Sequence, residues 1–172
     1  MNTTSIEHIE INLSAIETLQ HSFPGKVKET MENYGIDPEY IIFEVTETAA
    51  SNANNIVENA LHTLGDYGIN FALDDYGTGY ANIDTVIRLP FSIIKLDKSM
   101  VRSYFKNPKN ALIFRDTVKM MKNLGIAPLA EGVETQKQLD EMLALGIDYI
   151  QGYHFARPMP VSDFLKFINN PL

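Results

Sequence analysis

Phe71 to Tyr80 reads FALDDYGTGY: an apolar run of strand character that ends in two adjacent aspartates and a glycine-punctuated turn. Adjacent carboxylates repel and neither enters an apolar core cheaply. A chain that keeps both where a strand leaves its core has a use for a cation between them.

Working outward, five more runs share this character: His8 to Asn12 (HIEIN), Tyr40 to Thr46 (YIIFEVT), Ser92 to Leu96 (SIIKL), Ala127 to Glu131 (APLAE) and Asp148 to Gln151 (DYIQ). With Asn70 to Asp74 (NFALD) they make six, each followed by a segment of helical periodicity. Short apolar, β-branched runs fit parallel strands covered on both faces. Between them, Ile56, Ala60, Leu61 and Leu64 form one predicted helical stripe, and Leu112, Phe114, Val118, Met121 and Leu124 another that starts after Asn107-Pro108. Ser162 is the predicted N-cap of a last helix, DFLKFI. Strand alternating with helix throughout predicts an α/β fold with a parallel sheet, and the lack of a linker or low-complexity stretch predicts one domain over residues 1–172.

The composition, 45% hydrophobic and 21% charged over 172 residues, is that of a globular domain with a sizeable core. Net charge is −8 with no Lys/Arg cluster, which argues against a nucleic-acid duplex or direct contact with an anionic membrane. There is no cysteine, no apolar run of membrane-spanning length and no signal-peptide pattern at MNTTSIEHIE, so a cytoplasmic chain is expected. An anionic substrate would need local positive charge, which bound metal ions supply.

The ends of the six runs carry, in order, Asn12, Glu44, Asp74 with Asp75, Lys95, Glu131 and Gln151. In a barrel of parallel strands, function collects on the rim formed by the strands' C-terminal ends. An oxygen-only set rich in carboxylates suits Mg²⁺ or Mn²⁺ rather than structural zinc. Two such ions about 4 Å apart clamp the attacking and leaving oxygens of a phosphoryl displacement. Plainer roles stay open at several positions: Asp74-Asp75 as a capped loop before the glycine turn, Lys95 pairing with Asp97 or capping a helix, and Glu131 and Glu134 as acidic residues at a helix start. His8, His21, His62 and His154 are scattered without ligand spacing and read as structural. If Asn12 faces inward, alternation turns Glu10 and His8 inward too, so that strand is either partly exposed or bulged.

The motifs INLS, FEVTET, FALDDYGTGY, PFSIIKLDK, AEGVET and IQGYHFARP, in this order, resemble the EAL domain family of bacterial cyclic-di-GMP phosphodiesterases. The resemblance implies a TIM-like (β/α) barrel that hydrolyses cyclic di-GMP to linear pGpG with two divalent cations, Mg²⁺ or Mn²⁺. It implies Asn12, Glu44 and Asp74 as ligands of one ion and Asp74, Asp75 and Glu131 as ligands of the other. Lys95, Glu131 and Asp75 are then catalytic, with Lys95 orienting the attacking water. Gln151 and Glu134 serve the substrate, and Glu47 anchors the loop from Tyr76 to Ile83. That loop and the Asn107 to Leu124 helix border the family's usual dimer interface.

A closed barrel of this kind has eight strands in about 250 residues, so an incomplete barrel of about six strands is expected, with about 80 N-terminal residues, including the Glu-Ala-Leu signature, outside this chain. Its open edges would expose apolar surface that a second copy or a partner could cover, so a homodimer is expected. Two functions follow: a phosphodiesterase, weak or inactive on its own, or an inactive module that binds cyclic di-GMP or dimerises.

Overall fold

The six predicted strands are the six strands of a computed structural model that describes residues 6–14, 18–79 and 83–169. They are β1 (Ile9–Asn12), β2 (Ile41–Thr46), β3 (Asn70–Tyr76), β4 (Ile93–Leu96), β5 (Ala127–Ala130) and β6 (Tyr149–Ile150). All pair in parallel and in chain order as one sheet. Parallel pairing requires crossovers, supplied by α1 (Phe23–Tyr34), α2 (Glu47–Ser51), α3 (Asn55–Tyr67), α4 (Ile83–Arg88), α5 (Lys98–Tyr104), α6 (Pro108–Asn123) and α7 (Gln136–Ala144), with α8 (Val161–Asn169) last.

Local sequence sets the helix starts. The Asn54 side chain accepts from the Ile56 and Val57 amides to open α3. Asn107 accepts from the Asn110 amide to open α6, whose first residue is proline, and Thr135 and Gln138 form a reciprocal capping box on α7. Three helix expectations shift. In α3 the inward face is Val57, Ala60, Leu61 and Leu64, leaving Ile56 exposed. In α6 it is Ala111, Phe114, Val118 and Met121, leaving Leu112 and Leu124 exposed. Ser162 is no cap: α8 begins at Val161, and Pro160 O accepts from the Asp163 and Phe164 amides, placing Ser162 inside the first turn.

Alternation along the strands makes two apolar layers. Phe43, Phe71, Leu73, Ile94 and Leu96 point outward and pack with the buried faces of α3 and α6. Burial of each such side chain stabilises by about 1.5–3 kcal/mol. On the other side, Ile42, Ala72, Ile93 and Leu129 fill the concave interior with Tyr149 packed against them. The His8 ring meets the Tyr149 ring edge-on at 5.6 Å, so side chains from the two ends of the sheet touch across that interior and the sheet curls as an open barrel. β1 pairs with β2 without a bulge, and its exposure resolves the alternatives for HIEIN: Ile9 and Ile11 are 53% and 43% exposed while Glu10 faces inward, partly buried.

Candidate active site

Directly above the inner apolar layer, alternation delivers Glu10, Glu44, Asp74, Lys95 and Glu131 to the same concave face. Lys95 is their centre. Its buried ammonium hydrogen-bonds Glu44 Oε1 and lies 3.2 Å from Asp74 Oδ1, 3.2 Å from Glu131 Oε1 and 3.7 Å from Glu10 Oε2. Burial alone would lower the Lys95 pKa; Glu44, Glu131 and Asp74 outweigh it and raise it, so the ammonium is fully charged at neutral pH. Lys95 does not pair with Asp97. Asp97 accepts from the Ser99 amide as the N-cap of α5, and these hydrogen bonds hold it below the usual carboxylate range despite burial.

Strict alternation would send Asp75 to the opposite face from Asp74. Instead the β3–β4 register shifts between Leu73 and Tyr76, and Asp75 adopts φ 59°, the described non-glycine residue with positive φ. This bulge turns its carboxylate back toward the site, in a conformation that aspartate tolerates better than most residues. As a result Asp74, Asp75 and Glu131 each place an oxygen within 4.8 Å of the others. Burial raises the pKa of Glu131, and burial with the Asp74 charge raises that of Asp75. Burial and a hydrogen bond with the Glu10 carboxyl likewise raise Glu44.

This donor set fits a hard divalent cation. It consists of carboxylate oxygens, four carboxylates share the single Lys95 ammonium, and Asp74 Oδ1 is a buried oxygen that accepts no hydrogen bond beside that ion pair. Asn12, exposed at the end of β1, stands in register beside Glu44.

From this acidic floor a cleft of about 590 Å³ opens along Asp75, Glu131 and Gln151 to Arg102, Tyr153 and Arg157. Gln151 is exposed just past β6, where its amide donates to Ala130 O. Gly152 follows because nothing larger fits: a Cβ there would lie 2.1 Å from Val133 O. Glu134 lies on the cleft wall, paired with Arg102 at 3.1 Å, and its amide donates to Gln138 Oε1. It therefore precedes α7 rather than opening it. Glu47, 2% exposed at the start of α2, accepts at Oε2 from both the amide (3.1 Å) and the hydroxyl (2.9 Å) of Thr78. Residues 80–82 of the expected Tyr76 to Ile83 loop lie outside the described residues.

Sequence reasoning did not single out Arg102 or the Arg157 guanidinium, 4.5 Å from the Tyr153 ring centre. Arg157 and Tyr153 stand within IQGYHFARP, but four-residue spacing outside a helix gives no sign that they meet.

The EAL domain family profile matches residues 1–158. The chain is 37% identical over 154 residues to the probable cyclic di-GMP phosphodiesterase PdeA of Escherichia coli (strain K12), covering 89% of this chain and 21% of that protein. It is 34% identical over 160 residues to the cyclic di-GMP phosphodiesterase RocR of Pseudomonas aeruginosa, covering 93% and 41%. It thus spans well under half the length of these relatives. Among solved structures, the PaMucR phosphodiesterase in complex with c-di-GMP superposes with a TM-score of 0.83 at 30% identity over 91% of this chain and 64% of that one. The EAL domain of Mycobacterium smegmatis DcpA gives 0.86 at 26% identity over 94% and 72%. These neighbours carry more chain than the six strands here, as an incomplete TIM-like barrel requires, and with the matching profile they show that the chain belongs to the EAL domain family.

Proposed function

We propose that this chain, residues 1–172, is a fragment of a single cyclic-di-GMP phosphodiesterase domain whose reaction is hydrolysis of cyclic di-GMP to linear pGpG with Mg²⁺ or Mn²⁺, weak for this chain on its own. The observation that carries the reading is the Asp74–Asp75–Glu131 oxygen cluster beside a cleft whose lining mixes the carboxylates of Asp97 and Glu134 with Lys98, Arg102 and Arg157. Glu44 and Asn12, neighbours in register, extend the donor set to a second ion. When bound, the ions neutralise the phosphodiester and make a water easier to deprotonate.

The chain's own groups do the rest. Lys95 pairs with Asp74 and Glu131 in the ion-free chain and adds positive charge beneath the reacting phosphate. Gln151, at the cleft mouth, offers an amide donor and acceptor to water or substrate. Arg102, kept in position by Glu134, and Arg157, against Tyr153, face an anionic dinucleotide with a guanidinium and an aromatic surface. Glu47 ties the turn after the aspartate pair through Thr78.

The exposed Ile9 and Ile11 of β1 favour a homodimer in which copies cover each other's open edge. Among the described residues no helix is long and apolar enough to cross a membrane. The reading places the domain in the cytoplasm with cyclic di-GMP as its partner, without a nucleic-acid duplex or direct membrane contact.

Incubation of the purified chain with cyclic di-GMP, with and without Mn²⁺ or Mg²⁺, and chromatography for pGpG tests the reading. Metal-dependent product that Asp74→Asn abolishes is expected. Dinucleotide binding without product would instead support a binding or dimerisation module, the role favoured by the open β1 edge.

A further inference from the structure

Lys95 and a divalent cation compete for the same oxygens. The ammonium lies 3.2 Å from both Asp74 Oδ1 and Glu131 Oε1, and these two carboxylates with Asp75 are the group able to hold an ion. An ion seated there repels the ammonium. Lys95 has no route to water, since it is 3% exposed, and a displaced, uncompensated buried charge is costly.

Outside this group, within the edge strand β1, stands Glu10. Its Oε2 is 3.7 Å from the ammonium, longer than the Asp74 and Glu131 separations, so there is room to close. Its Oε1 faces His8 Nε2 at 3.4 Å, and its Oε2 approaches the same ammonium as Glu44, the closest partner of Lys95. Glu10 is thus a carboxylate beside the ammonium that belongs to neither proposed ion-holding set.

We infer that Glu10 is a positioning residue of the cation centre: it takes up the Lys95 ammonium when a divalent ion occupies Asp74, Asp75 and Glu131. The inference rests on the cation reading of the site. It assigns Glu10 an action through Lys95, so the effect of removing the Glu10 charge depends on Lys95 being present.

Titration of the full chain with Mn²⁺, read as free Mn²⁺ by electron paramagnetic resonance, tests this in four proteins: wild type, Glu10→Gln, Lys95→Met and the double variant. Glu10→Gln is expected to weaken Mn²⁺ binding about tenfold or more, as loss of a supporting partner does in metal sites. With Lys95→Met in place, the same substitution is expected to change affinity by less than about twofold, the mark of coupling between the two residues. An equal loss in both backgrounds, or no loss while wild type binds, overturns the inference and leaves the cation reading standing. Absence of Mn²⁺ binding by wild type overturns both. If Lys95→Met does not fold, Glu10→Asp decides: affinity within about threefold of wild type is expected from the retained charge, and a loss equal to that of Glu10→Gln overturns the inference.

Discussion

Asp74 and Asp75 are consecutive residues of one strand, yet both carboxylates join Glu131 on one side of the sheet, because Asp75 sits at φ 59° in a register shift against β4. The backbone conformation is therefore part of the site. Without it, the second carboxylate would point into the apolar layer between sheet and helices.

Conformation and charge separate by substitution at Asp75. Asparagine accepts the left-handed conformation and keeps the shape; valine resists it. Asp75→Asn is expected to leave the unfolding free energy within about 0.5 kcal/mol of wild type while lowering Mn²⁺ affinity, and Asp75→Val to lose about 1–3 kcal/mol as well. Denaturant unfolding beside Mn²⁺ titration checks both. Equal stability of the two variants would show that the bulge carries no strain.

Much of the site is legible in the sequence through alternation alone. A two-residue period along β2, β3, β4 and β5 puts Glu44, Asp74, Lys95 and Glu131 on one face, and there they meet. Asp75 is legible as a neighbour but not as a member of that face, since a bulge is decided by pairing with β4. The Glu134–Arg102 pair joins residues from separate crossovers, and its formation depends on how α5 sits beside the turn after β5. The helical slips have a simple cause. Ile56 precedes Val57, and Leu112 follows Ala111; one residue turns a helix by about 100°, and where both neighbours are apolar the period does not choose between them. The packing of α3 and α6 on β3 and β4 does.

The acidic site also fixes how stability without ions responds to pH. Glu44, Glu131 and Asp75 all have folded-state pKa values raised above their ordinary ones, chiefly by burial. The folded chain therefore holds protons more tightly than the unfolded chain, and these groups destabilise it once pH exceeds their folded values. Their effect is to increase stability as pH falls from neutrality toward the ordinary carboxylate range. Lys95 adds no slope there, because its raised pKa contributes stability below the unfolded lysine value that is lost only at more alkaline pH. Asp97, with its lowered pKa, opposes the trend only in more acid solution. Melting in chelator is expected to rise between about pH 8 and pH 5, and Mg²⁺ to flatten or reverse that slope by taking the protons' place. A melting temperature that falls over this range in chelator would mean that the carboxylates are not destabilised by their burial.

Glu47 reaches the turn after the aspartates through one oxygen that accepts two hydrogen bonds from Thr78. Removing a buried acceptor leaves its donors to find water or go unpaired, at about 1–3 kcal/mol. Glu47→Ala is expected to lose stability in that range and to expose the Thr78 amide to hydrogen exchange more than the amides of β4. Exchange unchanged at Thr78 would mean that the turn is held by something other than Glu47.

Gly152 tests the packing that carries Gln151 to the cleft. A methyl group at this position meets not only Val133 O at 2.1 Å but also Val133 N at 2.5 Å, both main-chain atoms that cannot swing aside as a side chain does. Val133 in turn donates to Gln151 O and accepts from the His154 amide, so displacing it disturbs both ends of the turn. Gly152→Ala is expected to cost about 1–3 kcal/mol, the range for overpacking a close contact, and to weaken binding of cyclic di-GMP by misplacing Gln151. Because Asp74 and Asp75 lie on β3, away from the Val133 contact that Glu131 neighbours, Mn²⁺ affinity should change less than dinucleotide affinity. Parallel losses of both would show that the turn and the acidic cluster form one rigid unit, and unchanged stability would show that the β5 and β6 ends separate at little cost.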